Sequence, residues 1–277
     1  MAATKIIQLA VLVIIFFLKF SIGLNTDVSG YALNKSSILR TVRSLAIVVL
    51  TAPFVAWLIA KFLDPSKGAL TTIILLSSTP GAPLAVLKIF KAKGKFNIGL
   101  VVQMLAVLLS IITIPLVLNF FNRFGNVSIE VEWMILIRRI LIFVIAPFAL
   151  GFLLNYFVPA VRKIRLTVTK IGNMILGLLG ISLLIFFRDF ILNARMPDLI
   201  IFTLFILITL VISHLLSGPG KEVRTTITIL STSPHIGLTI FIAVSLFELQ
   251  TIMAFILPYL VVNLIIGIIY IQWRRRA

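Results

Sequence analysis

The sequence lacks cysteine entirely and contains only two histidines and eight acidic residues among its 277. Without cysteine, disulfides and thiolate-bound metals are excluded. The chain also has no Walker loop, dinucleotide fingerprint or metal-ligand spacing, and no pair of acidic residues lies in an apolar segment. These absences predict a protein that is not an enzyme and that carries no cofactor.

Charged residues are scarce, at 12%, while 61% of the chain is hydrophobic and the mean hydropathy is +1.20. Soluble domains average about 45–50% apolar and about 25% charged residues. The apolar runs are continuous rather than alternating, which favours helices over the strands of a membrane barrel. The composition therefore predicts an all-α integral membrane protein.

Nine apolar segments are long enough to cross a bilayer, which takes about 20 residues in a helix. The first of them resembles a signal peptide in position, but its long apolar run and Lys19 favour a retained helix. The predicted segments are 6–24, 44–63, 69–90, 97–121, 134–158, 168–187, 198–216, 225–247 and 250–272.

The 25 basic residues are unevenly distributed over the predicted loops. One alternating set of loops, including the C-terminal tail, holds 16 of them and the other set holds 6. Lys19, Arg138 and Arg139 lie inside proposed spans, from which long side chains can reach the polar interface. Since basic loops stay in the cytoplasm, the count predicts an external N-terminus and a cytoplasmic C-terminus in the cell membrane. This distribution accounts for the net charge of +17, so no nucleic-acid partner is expected.

Two segments of the chain repeat each other at an offset of 154 residues. TTIILLSSTPGAPL at 71–84 and TTITILSTSPHIGL at 225–238 share seven of fourteen positions. They lie in the third and eighth predicted spans, which run in opposite directions. Related helix-breaking segments in two inverted halves indicate the binding site of a secondary transporter. The predicted halves are 1–125, with four helices, and 126–277, with five.

Proline and glycine in these segments interrupt helical hydrogen bonding within a predicted span. Half-helix N-termini at such breaks favour anions, and C-terminal carbonyls favour cations. The alternative is a pair of ordinary kinks whose serine and threonine hydroxyls bond back to their own helix. The residues that we expect to line a site are Ser78, Thr79, Pro80, Gly81, Gln103, Ser231, Thr232, Ser233, Pro234 and His235.

Four motifs resemble those of the bile acid/sodium symporter superfamily: FSIGLNTDVSG at 20–30, LTAPFVAWLIAKFL at 50–63, LLSSTPGAPLAVLK at 75–88 and STSPHIGLTIFIA at 231–243. The resemblance implies an inverted-repeat fold in which two broken helices cross within a core that moves against a panel. It also implies transport of a small organic anion through the bilayer.

The resemblance implies sodium sites as well, but the side chains that would form them are mostly replaced. A family Ser-Asn pair corresponds here to Ala85 and Val86, and a Glu and a Gln correspond to Leu230 and Pro234. A family Thr corresponds to Gln103. Thr79, Ser231 and Ser233 are the remaining candidates for Na⁺ ligands, and no other metal is expected. His235 introduces H⁺ as a second possible coupling ion.

The sequence thus predicts a secondary transporter of a small organic anion, working by alternating access. The alternative is an uncoupled, channel-like facilitator or a non-transporting membrane sensor with the same fold. Substrate identity, transport direction and oligomeric state do not follow from the sequence.

Overall fold

The computed structural model of the protein describes residues 13, 16, 17, 19–25, 35–82, 84–124, 132–158, 161, 165–244 and 246–276. Its helices account for most of these residues, and no strand occurs among them. The helices are α1 (19–25), α2 (Lys35–Phe62), α3 (Lys67–Ser78), α4 (Ala85–Lys91), α5 (Phe96–Phe124), α6 (Trp133–Ile140), α7 (Ala146–Phe157), α8 (Arg165–Phe186), α9 (Arg188–Leu192), α10 (Met196–Leu216), α11 (Lys221–Ser231), α12 (Ile236–Val244) and α13 (Leu249–Arg276).

Helical residues lie in each of the nine predicted segments. Within the described ranges, five stretches are long and apolar enough to cross a membrane: Ser37–Phe62, Phe96–Phe124, Met196–Leu216, Lys221–Val244 and Gln250–Arg276. The prediction of an all-α, multi-pass membrane protein is confirmed. The division into two repeats at residue 125 stays a prediction, as does the number of crossings.

Several helices extend beyond the predicted apolar segments. The helix α2 begins at Lys35 rather than at residue 44, and α13 continues to Arg276 rather than ending at 272. Backbone hydrogen bonding does not require apolar side chains, so a helix can continue past the hydrocarbon region into the polar interface. A hydropathy pattern therefore locates the spans better than it locates the helix ends.

The core forms around α2, which packs against α3, α5, α10 and α11. Side chains of α3 such as Ile73 and Leu75 are completely buried there. On the outside of the bundle, apolar side chains remain uncovered, and Leu50 is 63% exposed. A lipid-facing surface is expected to have this character, because hydrocarbon solvates leucine as well as a protein core does.

Basic residues of separate loops lie together at one end of the bundle. Arg43 donates to the carbonyl of Leu216 (2.7 Å), and Arg274 donates to that of Lys221 (2.9 Å). At another part of the fold, Ser66 donates to Asp198 (2.6 Å), joining two loops of the less basic set. The contacts agree with the two sets into which the sequence sorts the loops.

The short helix α1 makes a close contact with α7 through two glycines. A Cβ atom at Gly23 would lie 2.2 Å from the carbonyl oxygen of Phe148, and one at Gly151 would lie 2.2 Å from that of Phe20. Glycines permit this backbone-to-backbone approach, which is how membrane helices gain packing energy. The contact fixes α1, and with it Lys19, against the rest of the bundle.

We predict that Gly151→Ala destabilises the protein by about 1–3 kcal/mol, because the added methyl group forces the two backbones apart. Thermal unfolding of the detergent-solubilised protein measures the effect. Gly177→Ala in α8 is the matched control, since nothing lies within 4 Å of a Cβ atom there. Equal melting temperatures for the two variants would contradict the close α1–α7 contact.

Candidate functional site

Two helices are interrupted, and their interruptions are bonded to each other. The break between α3 and α4 and the break between α11 and α12 exchange two backbone hydrogen bonds. His235 N–H donates to the Thr79 carbonyl (2.8 Å), and Ala82 N–H donates to the Ser233 carbonyl (3.3 Å). The later residue of one break pairs with the earlier residue of the other, so the two segments run antiparallel at this junction.

Proline and glycine produce the first break. Pro80 has no N–H to donate, and Gly81 has a φ of +88°, a left-handed conformation that favours glycine. Gly81 also lies against α5, where an added Cβ atom would be 3.2 Å from a methyl carbon of Val107. In the second break, Pro234 likewise removes one donor of the helical ladder.

Side chains from neighbouring helices satisfy further backbone groups of the junction. Gln103 Nε2 donates to the Ala82 carbonyl (2.7 Å), and Asn263 Nδ2 donates to the Thr232 carbonyl (2.9 Å). The hydroxyls of Thr79 and Thr239 lie 2.7 Å apart and join the two broken helices directly. The junction is therefore a connected polar network inside an apolar core.

Several hydroxyls at the two breaks bond back to their own helices. Ser77 Oγ donates to Ile74 O, Ser78 Oγ to Leu75 O and Thr232 Oγ1 to Thr228 O, each at 2.8 Å. Thr79 Oγ1 also lies within hydrogen-bond distance of the carbonyls of α3. For these residues the structure shows the hydrogen bonds expected of a kinked helix.

Other polar atoms at the junction have no such partner. Ser231 Oγ, His235 Nε2 and Gln103 Oε1 are buried and make no hydrogen bond to any residue that the structure describes. Ser231 and the similarly unpartnered Thr209 line one small void together with Tyr259. The void has a volume of about 10 Å³, which is room for one water molecule.

His235 has two distinct roles for its ring nitrogens. Nδ1 accepts a hydrogen bond from the Leu238 N–H (3.0 Å) and thereby caps the first turn of α12. In the neutral ring Nε2 then carries the proton, so the unpartnered atom is a donor. A donor beside the N-terminus of a half-helix is suited to a negatively charged ligand atom.

Lys19 lies inside the protein rather than at the interface. The expectation that its side chain reaches the polar zone is wrong: Lys19 is 0% exposed, and its Nζ has no hydrogen-bond partner among the described residues. It is close enough to His235 for the two groups to interact electrostatically. Burying an ammonium without a counter-charge is costly.

A second lysine reaches the junction from α4. Lys88 Nζ donates to Ser233 Oγ (3.3 Å) beside a void of about 10 Å³ that Thr232, Asn263 and Tyr270 also line. The count of basic residues over the predicted loops assigns Lys88 to a loop, although Lys88 also falls within the predicted span 69–90. A charge inside a predicted span is the signal that could have identified it.

The structure brings together most of the predicted site residues. Thr79 to Ala82 and Ser231 to His235 form the junction, and Gln103 contacts it from α5. Pro83 lies outside the described residues. Thr209 and Tyr259 were not predicted, because one threonine or tyrosine in an apolar helix carries no distinguishing sequence pattern.

The sequence model of the Sodium Bile acid symporter family matches residues 12–195. The chain belongs to this family. The matched segment includes the first break and α5, while the second break lies beyond it. No curated protein matches the chain significantly. Membership of the family makes the protein a membrane transporter of the bile acid/sodium symporter type.

The name of the family includes sodium, but few of the described side chains could bind a metal ion. Across the described residues there is no group of three or more histidine, cysteine, aspartate or glutamate side chains that could hold a metal ion. Of the three Na⁺ candidates, Thr79 is engaged with α3 and Thr239, Ser233 accepts from Lys88, and Ser231 has an unpartnered hydroxyl.

The hydroxyl pair that links the breaks can be tested by a double-mutant cycle. We predict that Thr79→Val and Thr239→Val are non-additive, with a coupling energy of about 0.6–1.7 kcal/mol, because either change alone removes the same bond. Thermal or denaturant unfolding supplies the values. Thr79→Val combined with Thr203→Val is the control, since Thr203 bonds to Leu199 within α10. Strict additivity in the first cycle would contradict the link.

Proposed function

We propose that the protein is a secondary transporter that carries a small organic anion through the membrane by alternating access, with the substrate bound at the junction of the two broken helices. The observation that carries the proposal is the set of buried polar atoms that have no partner among the described residues at this junction, namely Ser231 Oγ, Thr209 Oγ1, Gln103 Oε1, His235 Nε2 and Lys19 Nζ. Buried polar groups are normally paired, so such a set supports the binding of a polar ligand at the junction.

The charges favour an anion as that ligand. Lys19 and the Nε2–H of His235 are donors, and the N-terminus of α12 adds aligned backbone dipoles. No described acidic residue makes an ion pair with Lys19; the ion pairs among the described residues join Arg188 to Asp189 and Arg195 to Asp198. A carboxylate or sulfonate would therefore supply the missing negative charge.

The small volume of the junction supports alternating access. A void of about 10 Å³ admits one water molecule, so an organic anion enters only if the packing around the junction opens. The two breaks are bonded to each other and would move as one core, while other helices form the panel. The second candidate is the uncoupled, channel-like facilitator. An open pore of that kind would not need this closure.

The membrane orientation forms part of the same proposal. The basic end of the bundle, where Arg43 and Arg274 lie, would face the cytoplasm. The N-terminus would then be outside the cell, and the protein would be in the plasma or inner membrane. Accessibility labelling of single cysteines added to this cysteine-free chain tests the orientation.

Transport by the purified protein in proteoliposomes tests the function. We predict uptake of radiolabelled taurocholate or benzoate when a Na⁺ or H⁺ gradient is imposed, because coupled transport concentrates the anion at the expense of one of these ions. Uptake that only equilibrates, whatever gradient is imposed, would instead identify a facilitator. Liposomes without protein give the background, and uptake no greater than this background for either anion would contradict the proposal.

A single charge change tests the anion site. We predict that Lys19→Met raises the KM for the transported anion by about tenfold or more, because a charge-assisted hydrogen bond contributes about 1.5–3 kcal/mol. Concentration-dependent uptake measures it. The control Lys67→Met removes the same charge from an exposed position at the start of α3. An unchanged KM in the correctly folded Lys19→Met variant would exclude Lys19 from the site.

A further inference from the structure

We propose that the Lys88 ammonium is a resident cation of the second broken helix: it occupies the position where a dissolved cation would otherwise bind, so that transport proceeds without Na⁺. The inference rests on the proposed transport function, which it extends to the coupling ion. It follows from where Lys88 lies and from what surrounds its ammonium.

The geometry of α4 directs Lys88 toward the junction. Lys88 is the fourth residue of this helix, which begins at Ala85 immediately after the first break. Side chains in a helix tilt toward its N-terminus, so the long lysine side chain extends back toward the break. Its Nζ arrives 3.3 Å from Ser233 Oγ, in the second break.

The ammonium lies at the C-terminal end of α11, where the helix dipole is negative. The helix ends at Ser231, and its last turn contains no basic residue of its own. The void beside Lys88 is lined by Ile229, Thr232 and Ser233, the residues that form this end. A cation is favoured there, whereas an anion would meet the negative end of the dipole.

None of the described residues that line the void with Lys88 is acidic. The elements packed around it are α4, α10, α11 and α13, and the only other titratable side chain among its lining residues is the phenol of Tyr270. Asn263, from α13, bonds to the Thr232 carbonyl and to Tyr259 rather than to Lys88. The positive charge is therefore balanced by helix dipole and hydroxyl oxygen, the same kinds of group that hold a bound cation in a broken helix.

A tethered ammonium differs from a dissolved ion in one important respect. Its binding carries no cost in translational entropy, because the chain already holds it beside its ligands. The site is then charged at any external Na⁺ concentration. Removing the lysine should create a vacancy that a small cation from solution can fill.

The experiment compares anion uptake by wild type and Lys88→Ala with Na⁺ present and with Na⁺ replaced by N-methyl-D-glucamine. We expect wild-type uptake of taurocholate or benzoate to be independent of Na⁺. In Lys88→Ala without Na⁺ we expect uptake to fall by about tenfold or more, the loss of one charge-assisted interaction. Adding Na⁺ or n-propylammonium to this variant should restore uptake, while bulky tetraethylammonium should not.

Lys91→Ala is the matched control, because Lys91 belongs to the same helix but is exposed at its last turn. It should behave as wild type in every medium. Na⁺-dependent uptake by wild type would overturn the inference. Full uptake by Lys88→Ala without Na⁺ would overturn it too, as would a folded Lys88→Ala protein that no cation restores.

Thermal unfolding separates this inference from the proposed function. Purified Lys88→Ala should melt at a lower temperature than wild type and should regain stability with Na⁺ or n-propylammonium, to which wild type and Lys91→Ala should not respond. If wild type transports no anion, the proposed function fails, but this melting response still decides whether Lys88 is a resident cation. Equal responses in all three proteins would overturn the inference.

Discussion

Every feature of the candidate site depends on one constraint, which is that a backbone N–H or C=O group in the membrane interior needs a hydrogen-bond partner. Interrupting one helix leaves several such groups unpaired, and here two interruptions pair with each other. His235 donates to Thr79, and Ala82 donates to Ser233. Gln103 and Asn263 then satisfy further carbonyls. Each break supplies hydrogen-bond partners to the other, so the two are parts of one structural unit.

This unit concentrates positive charge in a protein with very little negative charge to oppose it. Lys19 and Lys88 approach the second break from α1 and α4, while Asp198, one of the described acids, is engaged with Ser66 and Arg195 at a helix end. In the proposed mechanism, the negative end of the α11 dipole holds the Lys88 ammonium, and the positive end of the α12 dipole faces the anion near Lys19 and His235.

Hydropathy and repeated motifs allowed the helical class, the approximate spans and the two broken helices to be predicted, because a bilayer imposes strong rules on composition and length. The partners of individual side chains could not be predicted. Ser78 and Ser231 look alike in sequence, yet one hydroxyl bonds back to its helix and the other has no partner. The position of Lys19 depends on the glycine contact between α1 and α7, which brings together residues more than a hundred positions apart. Such long-range packing leaves no local signal in the chain.

The Thr79–Thr239 pair has a consequence for how the two broken helices communicate. Each hydroxyl has one proton, and each also lies near a carbonyl of its own helix: Leu76 O for Thr79 and His235 O for Thr239. If Thr79 donates to Thr239, then Thr239 donates to His235 O; if the direction reverses, Thr79 donates to α3 instead. Two rotations of O–H bonds interchange these arrangements while the heavy atoms stay in place. The link therefore has two alternative hydrogen-bond orders that share one arrangement of heavy atoms, and either order keeps the two broken helices joined.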